Sequence, residues 1–339
     1  MSQPVMPDLP KSAAPAARVD ARRVPAPASG KRGGKYPGQE AIETKGWWRA
    51  HRWLLLRRLS QVVTLGLFLA GPWFGLWLLK GNLSASLVLD TVPLADPFVL
   101  LQSLAAGHWP YREALIGGGI VLAFYMLLGG RLFCSWVCPM NMVTDLAAWL
   151  RPRLGIKGNK APAASTRYWL LLFILLAAAV TGSLAWEWVN PVSMLHRSLI
   201  FGFGLAWGIV IGVFLYDLFI AHHGWCGHLC PQGAFYGALG RVGLLRIKAD
   251  RRADCDDCMD CFAVCPEMQV IRPALKAAGQ EHAVILDGDC TTCGRCIDVC
   301  AKNVFRLSSR FDRTVYPLPH RVAAKGSSAR SPRSIPEQS

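Results

Sequence analysis

The sequence predicts a membrane protein of four transmembrane α-helices in two parallel repeats, fused to a small C-terminal α+β domain built around cysteines. Of its 339 residues, 52% are hydrophobic and only 17% are charged, whereas soluble domains carry about 25% charged residues. Four apolar runs are each long enough to cross a bilayer. Eight of the 12 cysteines lie within residues 255–300, in two runs of identical spacing.

Both ends of the chain predict disordered basic tails, residues 1–46 and 311–339. The first is rich in Pro, Ala, Lys and Arg and has no apolar segment that could enter a core. It is not predicted to be a secretory signal, because no apolar stretch follows its first charges. The net charge of +15 fits basic residues that flank membrane spans, so we do not expect a nucleic-acid partner.

The apolar runs predict a four-helix membrane domain over residues 47–245. A transmembrane helix needs about 20 residues, and the four predicted spans cover residues 59–79, 114–133, 168–188 and 199–220. A weaker run, residues 83–106, contains Asp90 and Asp96. Because a charge costs roughly 3 kcal/mol at the centre of a membrane helix, we expect this run to be a loop at the membrane surface.

The distribution of Lys and Arg predicts the orientation. They are frequent before the first span, between the second and third, and after the fourth. Residues 81–113 contain only Arg112, and residues 189–198 contain only Arg197. Since basic loops stay on the cytoplasmic side, both termini and the C-terminal domain are predicted to be cytoplasmic.

A Cys-x3-Cys-Pro motif follows the second span and recurs after the fourth. Residues four apart on a helix share a face, and spans two and four run in the same direction. Both motifs therefore lie at the cytoplasmic end, where packing of the repeats would bring four thiols together. They would form an additional redox or metal site, or pack as small apolar residues at helix ends. The four residues are Cys134, Cys138, Cys226 and Cys230.

Residues 255–266 read CDDCMDCFAVCP, which is the spacing of bacterial ferredoxins. Residues 290–301, CTTCGRCIDVCA, repeat it. We therefore predict a two-cluster [4Fe–4S] ferredoxin-like domain over residues 246–310. In such domains the fourth cysteine of each run ligates the other cluster. The predicted ligands are Cys255, Cys258, Cys261 and Cys300 for cluster 1, and Cys290, Cys293, Cys296 and Cys265 for cluster 2.

One position departs from the motif, because Ala301 stands where the first run has Pro266. Proline is not a ligand, so we expect a looser turn and no loss of a cluster. Zinc sites usually take four ligands in two pairs, and disulfides are disfavoured in the cytoplasm. Motifs for covalent haem and for nucleotides do not occur. Electrons are therefore expected to come from membrane quinol or from a partner protein.

Three further residues have two interpretations each. Asp217 lies one turn from the cytoplasmic end of the fourth span, where it is either solvated at the interface or helps to deprotonate quinol. Glu187 and His196 flank the segment WVNPVSM in a predicted outer loop. They either carry quinol protons outward or form the solvated edge of that loop. No catalytic residue or quinone pocket is identified from the sequence.

Over roughly residues 40–310, the chain resembles the NapH family, the quinol dehydrogenase membrane subunits of periplasmic nitrate reductase systems. The resemblance rests on KGWWRAHRWLLLRRL, GPWFG, DTVPLADP, LQSLAAGH, RLFCSWVCP, WEWVNPVS, HGWCGHLCP and the two ferredoxin runs. Ferredoxin runs alone indicate only clusters. Combined with four spans and the paired Cys-Pro motifs, they are typical of this family and its relatives.

The resemblance implies an electron-transfer subunit of a quinol dehydrogenase in the bacterial inner membrane, rather than a stand-alone enzyme. It implies that quinol is oxidised and that electrons pass through a periplasmic iron–sulfur ferredoxin subunit to a tetrahaem c-type cytochrome and nitrate reductase. Two alternatives stay open. One is an iron–sulfur assembly or redox-sensing factor for a respiratory metalloenzyme, and the other is a passive membrane anchor.

Overall fold

The computed structural model describes residues 36–156, 158–202, 204, 206–276 and 283–312. The predicted tails therefore lie outside the described residues, except at their inner ends. At the N-terminal end, helix α1 (Gln39–Lys45) occupies part of the segment predicted to be disordered. Just before it, the Gly38 amide donates a 2.8 Å hydrogen bond to Asp260 Oδ2 of the C-terminal domain. The prediction of disorder is wrong here, because a contact more than 200 residues away orders the segment.

One helix in the described part of the chain is long and apolar enough to cross a bilayer. After the single turn α2 (Trp47–Ala50), helix α3 (Arg52–Phe74) extends for about 35 Å. The later helices Thr166–Thr181 and Ala206–Phe219 are apolar but shorter. The described helices therefore do not confirm the predicted architecture of four spans.

The segment predicted to be a surface loop is folded against the bundle. It forms an antiparallel meander of β1 (Leu79–Gly81), β2 (Ala85–Val88) and β3 (Val92–Ala95), followed by helix α4 (Pro97–Ala105). A Cβ atom on Gly117 would lie 2.6 Å from the Pro93 carbonyl oxygen, so only glycine permits this approach. The loop prediction is wrong because Asp96 is not a free charge. Its carboxylate caps α4 and accepts a 2.9 Å hydrogen bond from the Phe98 amide.

The remaining apolar runs are divided among several helices. The next elements are α5 (Arg112–Leu128), α6 (Met140–Arg153), α7 (Thr166–Thr181), α8 (Pro191–Phe201), α9 (Ala206–Phe219) and α10 (Pro231–Leu239). Gly182 and Gly202, with φ of +63° and +86°, follow the last residues of α7 and α8. Positive φ is readily adopted by glycine and ends a helix. Hydropathy alone could not locate these ends.

The two halves of the bundle contain the same series of helices, and the first half adds the β1–β3 meander. Each has a longer helix (α3 or α7), a short capped helix (α4 or α8), a second apolar helix (α5 or α9), a Cys-Pro motif, and a closing helix (α6 or α10). The short helices begin alike, with Asp96-Pro97 and Asn190-Pro191. Each cap side chain accepts a hydrogen bond from the amide two residues later. These capped helices are part of the repeat that the sequence analysis did not identify.

The C-terminal domain is a small α+β unit. Strands β4 (Leu245–Ala249) and β5 (Phe305–Ser309) pair antiparallel. Between them lie the short helices α11 (Asp260–Val264), α12 (Ile271–Lys276) and α13 (Arg295–Val299). Ile247, Phe262 and Ile271 are buried in its core. The cysteine runs surround α11 and α13, so this core holds their loops in place.

Candidate iron–sulfur centres and the paired Cys-Pro motifs

The eight cysteines of the C-terminal domain line two cavities. Cavity 1 is lined by Cys255, Cys258, Cys261 and Cys300. Cavity 2 is lined by Cys265, Cys290, Cys293 and Cys296. Each cavity therefore combines three cysteines of one run with the fourth of the other, which is the grouping that the spacing predicts. The ligands of each cluster remain predictions.

The loops around the cavities have the same unusual backbone. Asp257 and Met259 have φ of 62° and 64°, and the corresponding Thr292 and Gly294 have φ of 48° and 74°. Alternating right- and left-handed residues turn successive amides into a concave nest that suits an anionic group such as an iron–sulfur cluster. Non-glycine residues adopt this conformation only where their surroundings enforce it. The two loops therefore fit a thiolate-ligated cluster.

The fourth cysteines adopt nearly the same conformation despite the difference between Pro266 and Ala301. Cys265 has φ −82° and ψ 127°, and Cys300 has φ −83° and ψ 107°. Each directly follows a short helix whose end fixes the turn. The expected loosening at Ala301 is not observed.

Burial opposes thiol ionisation at most cysteines of this domain. Burial raises the pKa of Cys258 and of Cys290 to about 11. Thiolates are the metal ligands, so iron must displace protons from these side chains. Cys293 differs, because Arg295 and Arg57 outweigh the effect of burial and hold its pKa below the ordinary value. Cavity 2 therefore lies in a field of fixed positive charge.

Each Cys-Pro motif ends a π-helical turn, Phe133–Val137 or Trp225–Leu229. The amides of Cys138 and Cys230 donate 2.9 Å hydrogen bonds to carbonyls five residues earlier. The sequence predicts that the two cysteines of each motif share one face of a helix. This prediction is wrong in detail, because the turn between them is wider than an α-helical turn. Such turns occur frequently at functional sites. The second half of the bundle reproduces the turn of the first.

The four cysteines of these motifs interact with one another electrostatically. Burial raises the pKa of Cys226, and the charges of Asp217, Cys230, Cys138 and Cys134 raise it further. Cys226 is thus within electrostatic range of the other three thiols. Across the described residues, no three His, Cys, Asp or Glu side chains are close enough to share one metal ion.

Cavity 2 lies directly against the first π-helical turn. Ser135, which follows Cys134, donates a 2.7 Å hydrogen bond from Oγ to the Thr291 carbonyl of the cavity loop. Trp136 Nε1 donates to the Thr292 carbonyl at 3.3 Å. The loop that contributes three cysteines to cavity 2 is therefore fixed to the bundle.

A buried ionic network joins cavity 2 to both halves of the bundle. Glu267, two residues after Cys265, is 2% exposed. Its Oε1 accepts hydrogen bonds from Arg131 at 2.5 Å and from Arg167 at 2.7 Å. Arg167 also pairs with Asp289, next to Cys290. Arg131 and Arg167 belong to the basic residues 131–167 from which the sequence predicts the orientation, although their position beside apolar runs was a usable signal for buried ion pairs.

The same arginines support the second Cys-Pro motif. Arg131 donates to the Cys226 carbonyl at 2.8 Å, and Arg167 donates to the Gly227 carbonyl at 2.9 Å. One set of guanidinium groups therefore contacts both the carboxylate beside cavity 2 and the backbone of the second π-helical turn. The relative position of the two sites is fixed by charge-assisted hydrogen bonds, which are stronger than neutral ones.

A second ionic cluster is centred on Asp145 of α6. Its carboxylate pairs with Arg58 of α3 and with Arg295 beside cavity 2. Burial opposes ionisation, but Arg295, then His223 and Arg57, hold the pKa of Asp145 well below its usual range. The Arg57-Arg58 pair therefore holds α3 against α6 and the cavity 2 loop.

Asp217 is not at a solvated interface. Its side chain is 0% exposed, and its Oδ1 accepts a 2.9 Å hydrogen bond from the Trp225 amide. This contact caps the second π-helical turn, one residue before Cys226. The solvation interpretation is therefore wrong, and Asp217 is a buried acid of the paired Cys-Pro site.

Comparisons with known protein families agree with this division of the chain. Residues 113–157 and 200–251 match the family described as "4Fe-4S binding domain". Residues 254–304 match the "4Fe-4S dicluster domain". The first match covers both Cys-Pro motifs, and the second covers the two ferredoxin runs. No solved structure shows significant similarity to the chain.

Three curated relatives resemble nearly the whole described chain. The "Ferredoxin-type protein NapH" of Haemophilus influenzae is 54% identical over 280 residues, covering 83% of this chain and 98% of the relative. The NapH protein of Escherichia coli is 53% identical over 275 residues, covering 81% and 95%. The "Methylamine utilization ferredoxin-type protein MauN" of Paracoccus denitrificans is 52% identical over 271 residues, covering 80% and 95%.

Proposed function

The chain belongs to the family of NapH- and MauN-type ferredoxin proteins, which makes it an iron–sulfur electron-transport protein, and we propose that it oxidises membrane quinol. Its electrons would pass through the iron–sulfur centres to partner subunits of a periplasmic nitrate reductase. The partners we propose are a periplasmic iron–sulfur ferredoxin and a tetrahaem c-type cytochrome.

The continuity between the paired Cys-Pro site and cavity 2 carries this proposal. Ser135 binds the loop of cavity 2, while Glu267 binds arginines that also hold the second π-helical turn. Cavity 1 draws its cysteines from the same two runs as cavity 2. The paired Cys-Pro site and the two cavities thus lie in connected parts of one structure, which supports electron transfer between them.

When bound, the clusters supply one-electron steps. The eight ferredoxin cysteines would hold them in the two sets that line the cavities. The protein adjusts a cluster through burial and nearby charge. Arg295 and Arg57 favour negative charge at Cys293, and they would also favour the reduced, more negative form of cluster 2.

Replacing Arg295 with glutamine should lower the reduction potential of cluster 2. If the lost electrostatic stabilisation is about 1.4 kcal/mol, the shift is about 60 mV for one electron. A redox titration followed by electron paramagnetic resonance measures it. The control Arg306→Gln removes a charge that is 48% exposed and pairs with Asp250 and Asp312. An equal shift in both variants would contradict a specific role for Arg295.

We also propose that the paired Cys-Pro site holds a third cluster. Purified wild-type protein should then contain about twelve irons per chain, four for each [4Fe–4S] cluster. The double variant Cys134→Ser/Cys226→Ser should contain about eight, because it loses one ligand from each half of the site. Eight irons in both proteins would mean that the four thiols only pack at the helix ends.

The exposed side chains of the bundle support a membrane location. Val180 and Phe173 on α7 are 87% and 67% exposed, and Ile211 on α9 is 50% exposed. Large exposed apolar surfaces mark contacts with lipid or protein. With the Lys and Arg distribution, they support a multi-pass inner-membrane protein whose ferredoxin domain is cytoplasmic.

A protease site added after residue 339 should be cut only from the cytoplasmic side. Cleavage from the outer side would contradict the proposed orientation.

Quinol-driven reduction is the direct test of the main proposal. Purified full-length protein with intact clusters is mixed anaerobically with a short-chain quinol, with and without its partner subunits, and the iron–sulfur absorbance is followed. We expect bleaching by quinol. Clusters that are reduced by dithionite but never by quinol would overturn the proposal.

A second candidate is electron transport in methylamine utilisation, because MauN of Paracoccus denitrificans is almost as similar as the NapH proteins. A deletion strain separates the candidates by whether growth with nitrate or growth on methylamine fails. If nitrate reductase in that strain is metallated but receives no electrons, the main proposal holds. If the enzyme lacks its metal centres, an assembly role is supported instead.

A further inference from the structure

His196 on α8 is a buried imidazole with an unused ring nitrogen. The residue is 4% exposed, and its Nε2 has no hydrogen-bond partner among the described residues. A buried polar atom without a partner carries a free-energy cost of about 1–3 kcal/mol. Such an atom in a native structure needs a partner, which is a water molecule, an ion or a bound ligand.

The surroundings of His196 suit a flat, largely apolar ligand. Phe68 of α3 meets the imidazole edge-to-face, with ring centroids 5.8 Å apart. On the same turn of α8, Leu195 belongs to an apolar cluster with Met140, against which Cys138 packs. The imidazole is therefore separated from the paired Cys-Pro site by about one layer of side chains.

Helix α3 gives a second measure of this proximity. Gln61 donates a 3.2 Å hydrogen bond to the Cys138 carbonyl. Phe68, which contacts His196, lies seven residues further along the same helix. At 1.5 Å per residue this separation is about 10 Å along the helix axis. A ligand at His196 would thus lie close to the nearest proposed redox centre.

The other half of the bundle provides an internal comparison. Gln102 lies six residues after the cap Asp96, as His196 lies six residues after the cap Asn190. Gln102 is also buried, but its Oε1 accepts a 3.0 Å hydrogen bond from the Trp186 amide. The first half thus satisfies the polar group at this position, while the second leaves Nε2 available.

A hydrogen-bonded chain begins one helical turn from His196. Ser193 Oγ donates to Glu187 Oε2 at 2.7 Å. Glu187 Oε1 accepts from Ser84 at 3.0 Å and from Asn190 at 2.9 Å. Glu187 is half-buried, and it lies in the segment predicted to be outside.

We propose that His196 forms the quinol-binding site, with Nε2 accepting a hydrogen bond from a hydroxyl group of the quinol headgroup. The headgroup packs against Phe68, and its apolar tail leaves past Phe201, which is 84% exposed at the end of α8. This inference rests on the proposed function. It adds to it the position of the quinol and the residue that binds it.

The reaction at this site balances as one quinol giving one quinone, two protons and two electrons. Both O–H bonds break, and the two electrons would be accepted one at a time by the clusters that the ferredoxin cysteines would hold, which would supply the oxidant. The first proton passes to Nε2 and then to Glu187. The second follows the same route after the first has been released.

Binding of a fluorescent quinol analogue tests the site independently of turnover. Full-length protein with intact clusters is titrated with 2-heptyl-4-hydroxyquinoline N-oxide. We expect His196→Leu to raise the Kd at least tenfold, because it removes the acceptor, and His196→Gln to raise it less. The control His108→Leu changes an exposed histidine that binds the Gly182 carbonyl, and it should bind like the wild type.

The outcomes separate this inference from the proposed function. If quinol reduces the wild type and the His196→Leu variant equally, with equal analogue affinity and equal iron content, the site is elsewhere and only this inference falls. If quinol never reduces the wild type, both fall. If the His196→Leu variant loses iron, the Glu187→Gln variant is used as the test instead. It should slow quinol-driven reduction without changing analogue affinity, and an unchanged rate would overturn the proton route.

Discussion

Combining Cys265→Ala with Cys293→Ala should remove no more iron than the more damaging of the two single changes. Both side chains line cavity 2, so the second substitution would act on a cluster that the first has already damaged. Combining Cys265→Ala with Cys261→Ala should instead damage both clusters, because Cys261 lines cavity 1. Changes at independent sites add, whereas changes at a shared site do not.

Comparing these two double variants shows whether the fourth cysteine of each run ligates the cluster of the other run or the cluster of its own run. If each run bound its own cluster with its own four cysteines, Cys261 and Cys265 would belong together and their effects would not add. Iron analysis and the resonance signals of the reduced clusters measure the loss in each variant. Additive loss for Cys265 with Cys293 would contradict the assignment. Cys300→Ala with Cys261→Ala is the matched control for a shared site in cavity 1.

The grouping of these cysteines could be predicted because it depends on local spacing. Three thiols on one tight loop can approach one cluster, and a fourth after a one-turn helix points to its neighbour. The left-handed residues at Asp257 and Thr292 have no such signal, because neither residue type requires that conformation.

Sequence alone predicts the wrong environment for charged residues whose partners are far away in the chain. From the sequence, the charge of Asp96 argues against burial of residues 83–106. In the structure, Asp96 Oδ2 accepts a hydrogen bond from Gln232 and Oδ1 accepts one from Tyr236, both more than 130 residues later. Arg131 and Arg167 were read as orientation charges, although their carboxylate partner is Glu267. A buried charge is tolerated where it is paired, and pairing across such distances is not visible in composition or period.

The ionic network explains how two structurally different domains act as one electron carrier. Arg131 and Arg167 belong to the bundle and donate hydrogen bonds to the backbone of the second Cys-Pro motif. Glu267 belongs to the ferredoxin domain and lies two residues after Cys265. The acid therefore positions a predicted ligand of cluster 2 relative to the paired Cys-Pro site. A flexible connection between the domains would not keep these centres at a fixed separation.

Replacing Glu267 with glutamine should release the ferredoxin domain from the bundle. Glutamine keeps an oxygen acceptor, but it leaves two buried guanidinium groups to share Asp289. Breaking a buried ion pair on one side costs about 3–5 kcal/mol. If the free energy of docking falls by that amount, hydrogen exchange of amides in residues 289–296 should accelerate about 10²- to 4 × 10³-fold, since 1.4 kcal/mol is a factor of ten.

Function should change in the same variant in a characteristic way. Dithionite should still reduce both ferredoxin clusters, because their cysteines are untouched, while quinol should reduce them much more slowly than in the wild type. The matched control is Glu113→Gln on the exposed first turn of α5, which should change neither exchange nor reduction. If Glu267→Gln loosens the domain and quinol still reduces the clusters at the wild-type rate, electrons do not pass through this junction. The series from the paired Cys-Pro site to cavity 2 would then have to be abandoned.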